Sequence, residues 1–187
     1  MAAEPLPLVQ LVLGPARSGK SRWAEHLAAV SGLDVVYVAT GPDLPSDGAW
    51  QERLERHRLR RPSHWGTLEV SDPVALGSSL RRLSHRDVAL VDSLGSWVAG
   101  GLDLDAARWE QLCQGLLVDL DQLRCGLILV SEQTGWGVVP PTAIGGVFRD
   151  RLGTIERLLV ARASVSWLVV AGRALNLTAL GQPVPAD

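Results

Sequence analysis

Short apolar runs alternate with longer amphipathic segments along the chain. The short runs predict buried β-strands at residues 8–13, 35–39, 67–70, 88–92, 127–130 and 165–170. Segments in which apolar residues recur every three or four positions predict helices at residues 21–30, 49–59, 73–83, 106–123 and 148–161. Because almost continuous apolar strands alternate with helices, the pattern predicts an α/β fold, with a mainly parallel sheet and helices on both faces.

Two local signals extend this prediction. Asp72 precedes Pro73, so Asp72 is expected to cap the N-terminus of the helix at residues 73–83. The C-terminal stretch GRALNLTALGQPVPAD follows the last predicted strand, and we expect it to add one further strand as a hairpin. No repeat or linker interrupts the 187 residues, which predicts a single domain over residues 1–187.

Composition narrows the class of protein. Hydrophobic residues make up 47% of the chain and charged residues 20%, as in globular proteins. With a net charge of −2, the chain has no overall electrostatic attraction to nucleic acid or to an anionic membrane. No apolar run reaches the ~18 residues of a membrane span, and MAAEPLPLVQ lacks the basic start of a secretory signal. Cys113 and Cys125 lack metal-binding spacing and are expected to be reduced thiols of a cytoplasmic protein.

The first predicted strand leads into a phosphate-binding motif. The stretch GPARSGKS fits G-x-x-x-x-G-K-[ST], with an apolar strand before it and a helix after it. Its residues are predicted to bind nucleotide phosphates: Gly14, Pro15, Ala16, Arg17, Ser18, Gly19, Lys20 and Ser21. Lys20 should reach the β- and γ-phosphates and Ser21 should ligate Mg²⁺. The plainer interpretation is a glycine-rich turn with an incidental lysine.

A second acidic group for Mg²⁺ is expected at the end of another strand. In DVALVDSLGSW, Asp92 follows four apolar residues, and ligands collect at the carboxyl ends of strands in open α/β sheets. We favour a metal-binding or base role for Asp92 over a role as a helix N-cap. The chain contains neither the N-K-x-D run of small GTPases nor the L-S-G-G-Q stretch of transporter ATPases, which favours a transferase over a switch or a motor.

The stretch RLERHRLRRPSHW is strongly basic. It contains Arg53, Arg56, His57, Arg58, Arg60, Arg61 and His64. It could be the solvated end of a helix, or a nucleic-acid patch, which the acidic overall charge disfavours. As part of a transferase, its arginines would neutralise a transferring phosphoryl or nucleotidyl group. A neutral imidazole there could also attack the α-phosphorus of a nucleoside triphosphate and pass the nucleotide on.

These motifs together resemble one family. In order along the chain, GPARSGKSRWAE, VYVAT, RLERHRLRRPSHW with its H-x-x-x-R-P core, TLEV, LVDSLGSWV, GWGVVP and FRDRLG resemble the bifunctional adenosylcobinamide kinase / adenosylcobinamide-phosphate guanylyltransferase family of cobalamin biosynthesis. The resemblance runs from about residue 8 to residue 170. It implies a RecA-like P-loop NTPase fold and a homotrimer with sites near the subunit boundaries.

The resemblance also implies activities and roles. ATP or GTP would phosphorylate adenosylcobinamide, and His57 would then take GMP from GTP and pass it to the phosphorylated corrinoid. Lys20 and Asp92 would act with His57 in catalysis, and Ser21 and Asp92 would hold Mg²⁺. Further nucleotide contacts implied by the family are Ala39, Thr40, Gly41, Arg58, Leu59, Arg60, Arg61 and Glu69. His64 is assigned a structural role.

The chain departs from the family pattern in a few places, which are expected to affect substrate contacts. Residues that differ from those of many members are Glu132, Gln133, Gly100, Gly146, Glu156 and Arg157. Two other functions remain open from the residues alone. One is a P-loop kinase that forms no covalent nucleotide adduct, and the other is a nucleotide-binding regulatory module without turnover.

Overall fold

The computed structural model describes residues 8–41, 48, 52, 55, 58–59, 61–137 and 142–185. Its strands are β1 (Val9–Gly14), β2 (Asp34–Ala39), β3 (Gly66–Glu69), β4 (Asp87–Asp92), β5 (Gly126–Glu132), β6 (Val165–Val170) and β7 (Arg173–Asn176). Its helices are α1 (Lys20–Ala29), α2 (Ala75–Leu80), α3 (Leu94–Gly100), α4 (Ala106–Leu120), α5 (Ala143–Val160) and α6 (Leu177–Leu180). A 3₁₀ turn at Thr134–Trp136 follows β5.

The strands form one sheet in the order β3-β2-β4-β5-β1-β6-β7. All neighbouring pairs are parallel except β6 and β7, which are antiparallel. Strand β5 lies between β1 and β4, so the carboxyl ends of these three strands are neighbours at one edge. Gly14 pairs with Glu132 across β1 and β5, and Asp92 pairs with Val130 across β4 and β5. The predicted mainly parallel sheet is confirmed.

Both faces of the sheet are buried under helices. Side chains from β1 alternate between two apolar clusters: Leu11 and Leu13 pack with α2, α3, α4 and α5 on one face. Val12 packs with Ala24 and Ala28 of α1 on the other face. Because each strand residue is covered on its own side, the central strands consist of continuous apolar runs rather than alternating ones. The prediction of helices on both faces is therefore confirmed.

The helix predicted at residues 73–83 is shorter than expected. It spans Ala75–Leu80, and its N-cap is Val74, which makes no side-chain cap. Asp72 was wrongly predicted to cap this helix. Its Oδ1 instead accepts a hydrogen bond from the Val74 N–H at 2.9 Å. Asp72 therefore forms an Asx turn ahead of the helix, which competes with a helical start at Pro73.

Side-chain caps explain three other differences from the predicted elements. Ser93 caps α3, a helix that the sequence pattern did not predict. Thr142 caps α5, which begins at Ala143 rather than at residue 148. The predicted hairpin strand is present as β7, and Asn176 then caps the unpredicted α6. Each cap satisfies a backbone N–H of the first turn and so stabilises the start of its helix.

The remaining predicted elements differ from the structure at their ends. Helix α4, predicted at residues 106–123, ends at Leu120 rather than at residue 123. Most of the helix predicted at residues 49–59 lies outside the described residues. Cys113 and Cys125 form no disulfide and are both buried, and burial raises the pKa of each thiol to about 11. Within the described ranges, no helix combines the length and the hydrophobicity needed to cross a membrane.

A carboxylate joins the end of β5 to α5. Ser131 Oγ donates to Glu156 Oε1 at 2.6 Å, and Gln133 Nε2 donates to Glu156 Oε2 at 2.9 Å. Burial raises the pKa of Glu156, although both hydrogen bonds oppose that shift. The folded state therefore favours the protonated form of Glu156 more than the unfolded state does. Gln133 and Glu156, both departures from the family pattern, are thus direct partners of one another.

We expect Glu156→Gln to change how stability depends on pH. The raised pKa of Glu156 means that its favourable contribution is present at low pH and is lost as the pH rises through the folded-state pKa. The difference in unfolding free energy, variant minus wild type, should therefore increase between about pH 4 and pH 7. Urea unfolding over this range measures it, with Glu110→Gln on the exposed face of α4 as the control. A difference that stays constant with pH would contradict the prediction.

Candidate active site

The loop between β1 and α1 is shaped to bind an anion. Arg17 and Gly19 both have positive φ, 58° and 98°, which turns successive N–H groups toward the same concave side. A Cβ atom at Gly14 would collide with the backbone carbonyl of Val169 and would lie 2.7 Å from Ser18 Oγ. Gly14 therefore permits the close approach of β1 to β6, and Gly19 permits the left-handed start of α1.

Lys20 is the first residue of α1 and is buried at 7% exposure. Its Nζ lies 3.5 Å from the Pro15 carbonyl oxygen, across the loop. Its backbone N–H donates to Ser18 Oγ at 3.3 Å. The cation is thus held over the loop, at a helix N-terminus that already favours negative charge.

The ends of β2 and β4 are tied together by buried polar groups. Thr40 Oγ1 donates to the Ser93 carbonyl at 2.6 Å and accepts from the Ser93 N–H at 2.9 Å. Asp92 Oδ2 accepts a hydrogen bond from the Tyr37 hydroxyl at 3.1 Å. The cap of α3 is Ser93, whose side chain accepts from the Ser96 N–H at 3.4 Å. Asp92 is therefore not the helix N-cap, and its carboxylate faces Tyr37.

Glu132 is a site residue that the sequence reasoning did not assign. It ends β5 opposite Gly14, and its Oε2 accepts from the Gly95 N–H at 3.1 Å. Burial raises the pKa of Glu132, and the charge of Asp92 raises it further. A hydrogen bond from Ser93 and the charge of Lys20 act in the opposite direction. The sequence signal for Glu132 is weaker than that for Asp92, because Ser131 separates Glu132 from the apolar run at residues 127–130.

The basic segment meets the sheet at β2 and β3. Arg58 Nη2 lies 3.3 Å from Glu69 Oε1 at the end of β3, and both side chains are exposed. Leu59 is also exposed, with 76% of its surface accessible. The Arg61 guanidinium carbon lies 3.3 Å from the centroid of the Tyr37 ring. His57 and Arg60 lie outside the described residues.

The predicted residues thus fall into two groups along one edge of the sheet. The first group consists of the phosphate-loop residues, which include Lys20 and Ser21, together with Asp92. This group surrounds the ends of β1, β5 and β4. The second group lies at β2 and β3. Ala39 ends β2, and Thr40 and Gly41 follow it. Arg58 and Glu69 lie at β3, which is four strand positions from β1. At ~4.8 Å between strands, that separation is about 19 Å. No described contact brings Arg58 or Glu69 to the phosphate loop.

Comparison with known proteins identifies the family of this chain. The family model described as "Cobinamide kinase / cobinamide phosphate guanyltransferase" matches residues 10–177. A relative from Pseudomonas aeruginosa, named bifunctional adenosylcobalamin biosynthesis protein CobP, is 40% identical over 176 residues, covering 93% of this chain and 98% of the relative. The protein named bifunctional adenosylcobalamin biosynthesis protein CobU from Escherichia coli is 34% identical over 181 residues, covering 87% of this chain and 95% of the relative.

Solved structures support the fold. An ATPase of the type III secretion system of pathogenic bacteria superposes with a TM-score of 0.55 at 11% identity, covering 94% of this chain and 59% of that chain. A protein from Pyrococcus horikoshii gives a TM-score of 0.54 at 10% identity, covering 91% of this chain and 85% of that chain. The predicted RecA-like P-loop fold is confirmed. The chain belongs to the cobinamide kinase / cobinamide phosphate guanyltransferase family.

Proposed function

We propose that this chain performs two successive reactions on one corrinoid. It phosphorylates adenosylcobinamide with ATP or GTP, and it then transfers GMP from GTP to adenosylcobinamide phosphate. Membership of the family and the names of the relatives support both activities. The observation that carries the proposal is the buried Lys20 over the phosphate loop, with the carboxylates of Asp92 and Glu132 at the neighbouring strand ends.

In the kinase step, the loop N–H groups and Lys20 bind the β- and γ-phosphates of the donor. The aminopropanol hydroxyl oxygen of the corrinoid attacks the γ-phosphorus. A new P–O bond forms while the bond between the γ-phosphorus and the bridging oxygen breaks. The nucleoside diphosphate leaves, and the hydroxyl proton passes to solvent. The chain contributes orientation and charge to this step, and no protein nucleophile is required.

The residues present suit a divalent cation. Ser21 and Asp92 would hold Mg²⁺ through a hydroxyl and a carboxylate oxygen, the ligand types that Mg²⁺ takes together with phosphates. Two carboxylates, Asp92 and Glu132, act on one another here, with the Lys20 ammonium as the opposing charge. When bound, Mg²⁺ neutralises charge on the phosphate oxygens. Mutual repulsion of the two carboxylates is relieved by an added positive charge.

In the second step, we propose that His57 carries the GMP. Its imidazole attacks the α-phosphorus of GTP, a P–N bond forms, and pyrophosphate leaves as the α–β P–O bond breaks. A phosphate oxygen of adenosylcobinamide phosphate then attacks the same phosphorus, and the P–N bond breaks. The product is adenosyl-GDP-cobinamide, and His57 is regenerated. Arg58 and Arg61, which follow His57 by one and four residues, would offset charge on the transferring group.

Lys20→Ala should abolish both activities, lowering each by about a hundredfold or more. Both reactions place a triphosphate on the same loop, where the Lys20 ammonium is the main charge against its β- and γ-oxygens. Steady-state rates of phosphorylation and of GMP transfer measure the effect. Arg22→Ala removes an exposed charge from the same helix and serves as the control. Retention of either activity within a few-fold of wild type would mean that this step uses another nucleotide site.

Asp92→Asn should weaken Mg²⁺-dependent turnover more than folding. The amide oxygen can still accept from the Tyr37 hydroxyl, but it lacks the charge that holds a cation. The Mg²⁺ concentration for half-maximal rate should rise about tenfold or more. Metal titrations and thermal unfolding measure the two effects, with Asp87→Asn at the opposite end of β4 as the control. An unchanged Mg²⁺ dependence with lower thermal stability would assign Asp92 a purely structural role.

His57→Asn should remove the covalent GMP adduct and GMP transfer while sparing much of the kinase step. Asparagine keeps polarity and approximate size but cannot form the phosphoramidate. Mass spectrometry after incubation with GTP and Mg²⁺ detects the adduct, and its label should be acid-labile and base-stable. His64→Asn is the matched control. An adduct that persists on the His57 variant, or that maps to His64 or a lysine, would overturn the assignment.

A further inference from the structure

Tyr37 on β2 contacts two groups of the candidate site at once. Its hydroxyl donates to Asp92 Oδ2 at 3.1 Å, and one face of its ring lies 3.3 Å from the Arg61 guanidinium carbon. The side chain is 3% exposed. Burial raises the pKa of Tyr37, and the charge of Asp92 raises it further, so the hydroxyl keeps its proton and acts as a donor. Tyr37 had no assigned role in the sequence reasoning.

Among the described residues, the aromatic face of Tyr37 is the group that holds the Arg61 guanidinium. Within the described parts of the chain, its Nε is buried without a hydrogen-bond partner, and no carboxylate forms an ion pair with it. A guanidinium stacked on an aromatic ring keeps its charge and its outward N–H groups for another ligand. The stacking therefore fixes the position of Arg61 without neutralising it.

The contact that Arg58 of the same segment makes with the sheet is weaker. Arg58 pairs with Glu69, but the two side chains are 53% and 72% exposed. Exposed ion pairs contribute little because water and salt screen them. The contact between Tyr37 and Arg61 is shielded by the buried ring, and cation–π attraction strengthens when the groups are desolvated. Of these two arginine contacts, the one with Tyr37 is the firmer attachment to the sheet.

We propose that Tyr37 is a positioning residue for guanylyl transfer. The Tyr37 ring holds Arg61 while the Tyr37 hydroxyl holds the Asp92 carboxylate. Tyr37 thereby fixes the segment that carries His57 relative to Asp92. This inference rests on the proposed role of His57. His57 precedes Arg61 by four residues, so a fully extended chain allows it at most about 14 Å from the Arg61 backbone. Fixing Arg61 therefore limits where the nucleophile can lie.

Two substitutions at Tyr37 separate the ring from the hydroxyl. Tyr37→Phe removes the hydrogen bond to Asp92 but keeps the aromatic face. Tyr37→Leu removes both, while keeping an apolar side chain in the core. The rate of GMP-adduct formation from α-labelled GTP and the rate of adenosylcobinamide phosphorylation are measured for each variant. The ratio of the two rates is the readout, because partial unfolding or loss of the bond to Asp92 lowers both rates together.

In Tyr37→Phe, the ratio of adduct formation to phosphorylation should stay within about twofold of wild type. In Tyr37→Leu, the ratio should fall about tenfold. Equal ratios in the two variants would overturn the role of Tyr37 while leaving the nucleophile assignment intact. Absence of an adduct in the wild-type protein would instead overturn the proposed covalent route, and this inference with it.

The same contact can be tested from the other side if Tyr37→Leu does not fold. Arg61→Lys keeps a cation for the ring, whereas Arg61→Met keeps length and loses charge. In Arg61→Met, the ratio of adduct formation to phosphorylation should fall at least as far as is expected for Tyr37→Leu. In Arg61→Lys, the same ratio should fall less. Combining Tyr37→Phe with Arg61→Met should lower the ratio no further than Arg61→Met alone. Equal ratios in Arg61→Lys and Arg61→Met would overturn the proposal.

Discussion

The candidate site depends on the parallel pairing of β5 between β1 and β4. Parallel strands end at the same edge, so this pairing places Gly14, Glu132 and Asp92 on neighbouring strand ends. The register is well specified because each apolar residue of β5 belongs to one of two buried clusters, Leu127 and Leu129 on one face and Ile128 and Val130 on the other. A slip of one residue would exchange the faces and misplace every polar group at the edge.

Burial of charge at this edge opposes stability. Ions transferred from water carry a desolvation cost, which opposite charges and hydrogen bonds offset only in part. At Glu132 burial outweighs the Lys20 charge and the Ser93 and Gly95 hydrogen bonds, because the pKa of this carboxyl is raised. The neighbouring apolar clusters supply the stability that this polar edge lacks. In the proposed reactions, the nucleotide phosphates would pair with Lys20 and a bound Mg²⁺ would offset the carboxylates, as expected where function competes with stability.

The two proposed reactions use different parts of the same edge. In the proposal, phosphoryl transfer would use the loop and the strand ends of β1, β5 and β4. Guanylyl transfer would also use the basic segment, whose Arg58 and Arg61 contact β3 and β2. Tyr37 on β2 is the described side chain that touches residues of both parts, Asp92 and Arg61. A buried aromatic residue suits this place because its ring binds a cation while its hydroxyl satisfies a carboxylate.

The sequence by itself determined the parallel sheet, the phosphate-loop motif, the place of Asp92 at the end of a strand, and the family. These depend on continuous apolar runs and on residues close together in the chain. Only the tertiary structure decided three hydrogen bonds of the site: Thr40 with Ser93, Tyr37 with Asp92, and the Gly95 N–H with Glu132. The first two pairs are 53 and 55 residues apart. Such partners are set by strand order and register, which local periodicity does not encode. The short helix α3 escaped prediction for a related reason, since a side-chain cap and the burial of Trp97, rather than apolar periodicity, stabilise it.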